Sequence, residues 1–326
     1  MKIVCQVTRA GKVESYHQVY AIAIDGEGKN ILTAGKPDYI TCVRSALKPF
    51  QASAAIKEGA TEEAGFKTEE IALMCASHNG EEIHVKTAKG MAKKLGIGPS
   101  HYECGIHAPH DKVTREKEIK SNTIFTPFHN NCSGKHSGML SLAKKLKTNY
   151  KGYTEIDHPV QQTIFQQLRE LIGEKQFSFG IDGCSAPTPF LSLKSVARLF
   201  QKLGSEKYPE LIEAYRAMSK HPYLIGGNNR FDTEFNYALN GRGVCKAGGE
   251  AIRGVVIKTK QYGLMGLAIK VLDGNQRAID VATMATIKYL NVLKKEENNR
   301  LVQYESKKLF NHRDIYIGDI KAEIKD

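Results

Sequence analysis

β-rich sequence stands at both ends of this chain and helical sequence fills the middle, and that order restricts the fold more than any other feature. From Lys2 to Lys36 short β-rich runs alternate, notably VYAIAI at 19–24, with DGEG at 25–28 as a turn between two of them. Helical spacing predicts helices over 49–58, 69–76, 82–95, 138–147, 159–172, 192–203 and 209–218. After Gly248 the period changes back: 252–258 and 265–271 read as strands around the turn KQYG at 260–263, and Asp273-Gly274 precedes an amphipathic helix over 277–293. Strands at the two ends then share one antiparallel sheet, packed with a helical middle, which is an α+β fold. The expected organisation is one domain, 1–326: a sheet subdomain of 1–58 and 245–312, a helical subdomain of 59–244, and a tail of 313–326.

Composition excludes several classes. A chain of 326 residues, 41% hydrophobic and 25% charged, buries a substantial core. No window approaches the roughly 18 consecutive apolar residues of a membrane span, and the start MKIVCQVTRAGKV has no long apolar stretch of a secretory signal, so a cytoplasmic protein with no membrane partner is expected. The formal charge of +12 raises a basic nucleic-acid-binding or interaction module as an alternative. Against it, the lysines are interspersed with glutamates on helical segments, and no Arg-rich tract with interleaved aromatics occurs. No nucleic-acid partner is expected. The seven cysteines are odd in number and scattered, so most should be free thiols.

Four local patterns can carry chemistry. RSALKPFQ, 44–51, places Ser45 and Lys48 at i, i+3 where strand-like sequence gives way to helix. On a helix the two side chains share a face, roughly 5–6 Å apart at Cβ, and a neutral lysine amine there can take the serine proton. Pro49 puts the helix start close to Ser45 or at Lys48 itself. In MCASHNGE, 74–81, an apolar run breaks into small and polar residues, so Ser77 either enters a cleft or caps a helix beginning near Glu82 with Gly80 as turn residue. In CKAGGE, 245–250, Lys246 precedes small residues that let a substrate approach the backbone; it is otherwise an ordinary loop lysine. NNCSGKHSGML, 130–140, and DGCSAPTPF, 182–190, embed Cys132 and Cys184 in turns near Lys135 and His136. Thiolates are soft ligands that suit Zn²⁺. No second C-x-x-C completes a four-cysteine site, and GxxxxGK[ST] is absent.

Taken in order and spacing, RSALKPFQ, CASHNGE, NNCSGKHSGML, DGCSAPTPF and KAGGE resemble the type II bacterial asparaginase family of the rhizobial inducible type, over about residues 44 to 250. That family is similar in fold to serine β-lactamases and glutaminases. The resemblance implies two Ser/Lys pairs, Ser45 with Lys48 and Ser77 with Lys246, and a zinc set of Cys132, Lys135 and Cys184, with His136 an alternative ligand by chemistry alone. Arg44, His78, Asp182 and Arg230 are expected to bind substrate. It implies no organic cofactor, a homodimer, and hydrolysis of L-asparagine to aspartate and ammonia: Ser45, activated by Lys48, forms an acyl-enzyme, and ammonia leaves through Ser77 and Lys246. Either serine can be the nucleophile on these grounds. Glutaminase or β-lactam-reactive chemistry is the nearest alternative. Lys246-Ala247-Gly248 departs from the Lys-Thr-Gly of the β-lactamases, which leaves the threonine's donor unassigned.

Overall fold

The computed structural model describes residues 1–174 and 176–325 and divides into two compact units, Met1–Ala46 with Leu191–Gly204 and Ala238–Asp326, and Leu47–Phe190 with Ser205–Tyr237.

The first unit is built on an antiparallel sheet. Its strands lie in the order Ser306–Phe310, Tyr316–Lys325, Lys2–Arg9, Lys12–Ile24, Gly263–Val271, Ile252–Thr259, Gly243–Gly248, and Asn30–Ala34 also pairs with Lys12–Ile24. Chain ends therefore meet across hydrogen bonds, with Ile22 opposite Ala268 and Cys5 opposite Ala322. Period-two burial drives this: in Lys2–Arg9, Ile3, Cys5 and Val7 are buried while the residues between them are only partly covered. The helix Leu193–Leu203 packs on Lys12–Ile24, Ile252–Thr259 and Gly263–Val271. It can do so because Gly254 and Gly266 lie beneath it: a Cβ there would fall 1.8 Å from Phe200 and 2.2 Å from the Ala197 carbonyl oxygen.

Three expectations need correction here. The segment expected as a loose tail contains the strand Tyr316–Lys325, paired along Lys2–Arg9; only its final residue, Asp326, lies outside the described residues. Its alternation of Ile320, Ala322 and Ile324 with charged residues is short and weak in hydrophobicity, and pairing supplies the rest. Leu191–Gly204, assigned from sequence to the helical middle, belongs to the sheet unit, because Leu193, Val196, Phe200 and Leu203 form an apolar face for the sheet. The chain leaves that unit at Ala46, earlier than the expected residue 58.

The second unit is mainly helical. The helix Lys48–Lys57 packs against Ser133–Lys145, Pro159–Ile172 and Pro209–Lys220 and is buried from Lys48 to Ala55. Burying Phe50 on it contributes about 1.5–3 kcal/mol. The helices Glu82–Leu95 and Pro159–Ile172 have the expected bounds. Ser133–Lys145 starts five residues before the expected 138, and Gly134 and Gly138 on it are contact points. A Cβ at Gly134 would sit 2.1 Å from the Leu73 carbonyl oxygen, and one at Gly138 2.5 Å from Met74 Cε. The two glycines thus seat this helix directly on Thr68–Met74. No helix among the described residues is long and apolar enough to cross a membrane.

Candidate functional site

Where Thr68–Met74 ends, the chain carries Ser77 into the interior of the helical unit, its N–H donating to the Ile225 carbonyl at 3.0 Å. Ser77 is not a helix cap. The following helix begins after Glu81, whose N–H donates to His84 Nδ1 at 3.2 Å. Lys48 is the first residue of its helix, followed by Pro49 in the tolerated first turn. Its side chain is 1% exposed, and Nζ contacts three oxygens: the Ala76 carbonyl at 2.5 Å, Ser77 Oγ at 2.9 Å and the Asn131 carbonyl at 3.1 Å. All three are uncharged. The sequence paired Lys48 with Ser45; the hydrogen bond formed inside this unit is with Ser77.

His78, next to Ser77, accepts the Gly80 N–H at Nδ1, which leaves Nε2 as the donor to Ser133 Oγ at 2.9 Å. Burial, with His84 and Lys48 nearby, holds its pKa well below the usual histidine range, so it stays neutral. Its ring stacks on His84 at 4.8 Å, and His84 on Tyr223 at 5.9 Å. Arg230 comes to the same place through Asn79, whose Oδ1 accepts from Arg230 Nη1 at 3.3 Å. Asn79 also donates to the Asn228 carbonyl at 2.9 Å, and Glu81 accepts the Asn228 N–H at 2.8 Å and the Tyr223 hydroxyl. The 228–230 loop is thereby tied to the residues just after Ser77.

A second cluster forms at the start of Ser133–Lys145. The strand Phe179–Ile181 pairs antiparallel with residues 187–189, and Cys184 sits in the turn between them. That turn is closed by Asp182 N–H to the Ala186 carbonyl at 3.0 Å, with Ser185 in the left-handed region at φ 69°. Lys135 Nζ donates to Cys184 Sγ at 2.8 Å. The neighbouring Cys132 thiol and the Lys135 charge both hold the Cys184 thiol far below the ordinary thiol range, against the cost of burial. Burial opposes the Lys135 charge, but the adjoining sulfurs outweigh it and raise its pKa, with a smaller contribution from Asp182. Cys132, by the adjoining Cys184 sulfur and by burial, is pushed well above the ordinary range, and its thiol donates to Asn131 Oδ1 at 3.2 Å. The cluster is a thiolate, an ammonium and a thiol, all buried.

Two sulfurs and an amine suit a soft divalent cation. Beside them His136 Nε2 is buried without a hydrogen-bond partner of good geometry among the described residues, while Nδ1 contacts the Tyr153 hydroxyl at 2.5 Å. Among the described residues no three His, Cys, Asp or Glu side chains gather in a metal-holding arrangement. A cation here would therefore depend on Lys135, which must give up its proton to bind.

The remaining expected residues belong to the sheet unit. Ser45 lies in the 3₁₀ turn Arg44–Leu47. Arg44 sits over Gly249, where a Cβ would fall 2.5 Å from its Nη1, and Nη1 lies 3.7 Å from Glu250 Oε1. Lys246 is on the strand Gly243–Gly248 rather than in a loop, 1% exposed, with Nζ donating to the Ala247 carbonyl at 2.7 Å. Sequence reasoning passed over Lys270. This lysine is buried on Gly263–Val271 and donates to the Val271 carbonyl at 2.8 Å and to the Glu250 carbonyl; burial lowers its pKa. Arg44, Glu250 and Ala251 all have positive φ, so backbone strain collects around the KAGGE turn. Also unmarked in the sequence were Asn79, Glu81 and Asn131, which act through backbone groups or as holders of other residues. A lysine next to last in a strand destined for the core was the one available signal for Lys270.

The sequence model of the L-asparaginase II family matches residues 5–322. A match over nearly the whole chain makes this protein an asparaginase-type amidohydrolase. It belongs to the L-asparaginase II family. No curated protein matches the chain. Among solved structures it is similar to a β-lactamase from Chitinophaga pinensis DSM 2588 (12% identity, TM-score 0.43, covering 84% of this chain and 92% of that one). It is also similar to Mglu in its native form (12% identity, TM-score 0.36, covering 84% of this chain and 64% of that one). Likeness at these scores carries no argument about chemistry.

Proposed function

We propose that the chain hydrolyses L-asparagine to aspartate and ammonia through a serine acyl-enzyme with lysine as the proton acceptor. The observation that carries this is the bonding of Lys48. A neutral amine has two N–H bonds and one lone pair. The carbonyls of Ala76 and Asn131 take the two hydrogens, and the lone pair is left for the Ser77 hydroxyl proton. In that form the Ser77 O–H bond breaks toward Lys48 Nζ as Oγ closes on an amide carbon. Lys48 then returns the proton to the departing nitrogen, ammonia leaves, and water attacks the ester through the same lysine. Ser45 and Lys246 stay in the proposal as the other serine and lysine. Lys270, the buried lysine of the sheet unit with a lowered pKa, is the alternative to Lys246.

Arg230, positioned by Asn79, supplies positive charge for the substrate α-carboxylate, with Arg44, His78 and Asp182 as further substrate-facing or supporting groups. Cys132, Lys135 and Cys184 would hold zinc. When bound, the ion supplies a fixed positive charge and a cross-link between the 132–135 helix start and the 182–186 turn. The cysteines are free thiols, which suits a reducing compartment, and we take the working form to be a cytoplasmic homodimer.

Ammonia release from L-asparagine, from L-glutamine and, in parallel, hydrolysis of nitrocefin test the substrate. Asparagine should be the best of the three, and no release from asparagine would sink the reading. Trapping with an electrophilic asparagine analogue, followed by peptide mass spectrometry, shows whether Ser77 or Ser45 is acylated.

A further inference from the structure

We propose that His107 is a positioning residue for Lys48, acting by fixing the backbone of Asn131. This deepens the reading of Lys48 as proton acceptor and rests on it. The Asn131 carbonyl is one of the two backbone oxygens on Lys48 Nζ. Its aim is set by the two peptide planes that meet at Asn131, and each plane is pinned by a different side chain. On the N-terminal side the Asn131 N–H donates to His107 Nε2 at 3.0 Å. On the C-terminal side the Cys132 N–H donates to Asn130 Oδ1 at 2.9 Å, and Asn130 Nδ2 is anchored on the Cys104 carbonyl at 2.8 Å.

His107 meets its part in one tautomer. Nδ1 lies 2.7 Å from the Ala108 carbonyl, which must accept, so Nδ1 carries the hydrogen and Nε2 is the acceptor. The bond to Ala108 turns the ring so that the Nε2 lone pair meets the Asn131 N–H. If that acceptor is lost, the peptide on the N-terminal side keeps only the bond from the Ser133 N–H to the Asn130 carbonyl at 2.9 Å, so the Asn131 carbonyl loses one of its restraints and can tilt away from Lys48. The contact of Lys48 with that carbonyl then weakens, and its lone pair is aimed less firmly at Ser77.

The test separates an acceptor from a space-filling ring. Glutamine at 107 keeps an oxygen acceptor without the ring; phenylalanine keeps a ring without an acceptor. H107Q, H107F and H107A are made in the full chain, and thermal melting checks each fold. Two readouts follow: kcat and KM for ammonia release from L-asparagine, and the second-order rate of serine labelling by a fluorophosphonate, which needs no amide substrate. Misaiming a reacting group by about 1 Å costs on the order of 100-fold. H107F and H107A should therefore lose roughly 10- to 100-fold in kcat and in labelling rate with KM changed less than about threefold, and H107Q should recover most of both. Full activity in H107F, equal loss in H107Q and H107F, or a loss confined to KM overturns the proposal. If wild type releases no ammonia, the asparagine reading fails, while the labelling rates still judge the role of His107. Wild type with neither ammonia release nor labelling overturns both.

Discussion

Among the described residues two lysines are buried in the helical unit, and their surroundings are opposite. Lys48 is surrounded by uncharged acceptors, two carbonyls and a hydroxyl. Lys135 faces a thiolate, with a second sulfur behind it. A carbonyl or hydroxyl can bond an amine as well as an ammonium, so the first environment permits a proton to come and go. A thiolate beside a buried ammonium forms an ion pair, and separating it leaves a charge without a partner in a medium that does not solvate it. One lysine is arranged for proton transfer. The other is arranged to stay charged until something displaces its proton, as a metal would.

The largest expected effect breaks this comparison on the Lys48 side. K48M removes the proton acceptor and should lower kcat by about 10²–10⁴. K48R should not recover it, because arginine keeps its proton in proteins. The check is kcat for ammonia release with the fold confirmed by circular dichroism. Substantial activity in K48R would mean that Lys48 contributes charge and not a lone pair.

The Lys135 side yields a stability effect. C184A leaves the Lys135 ammonium buried without its thiolate, which should cost about 3–5 kcal/mol. The double variant K135M/C184A should regain much of that, since neither charge is then buried. Urea unfolding of wild type, C184A, K135M and K135M/C184A in the presence of chelator measures the coupling, and a coupling near zero would dispose of the ion pair. Added Zn²⁺ should raise Tm in wild type and not in C184A, because only the former offers both sulfurs to a ligand that favours the native state.

Much of the frame was legible in sequence because it rests on periodicity: the helices 82–95 and 159–172, and the strands from the two chain ends in one sheet. Ser77, Lys48, Cys132, Lys135 and Cys184 were also marked, since each sits in an unusual local run. What joined them was not legible. The Lys48–Ser77 bond spans 29 positions, and its other supports are carbonyls, which any residue possesses. Local spacing favoured Ser45, three residues away, because helix geometry is the only distance a sequence displays. The helix through Gly134 began earlier than expected for a related reason: glycine has little helix propensity when considered alone, and here the Leu73 backbone occupies the space a side chain at 134 would need.

The smallest effect sharpens the comparison electrostatically. The Lys48 side has cationic neighbours and, at Lys48 itself, no anion among the hydrogen-bond partners. His110 reports that field. Burial, followed by His107, Arg230, Arg115 and Lys48, lowers its pKa to about 4. An unfolded chain protonates this ring near 6.5, whereas the native chain does not until about 4. The unfolded state therefore binds more protons between those values. The His110 share of stability is fully present above 6.5 and is lost as pH falls from 6.5 through 4. H110Q has no proton to gain, so its Tm should drop less than that of wild type between pH 7 and pH 5, by roughly a few degrees after allowance for solvent screening at a partly exposed ring. Parallel Tm curves for the two chains would show that the positive field does not reach His110.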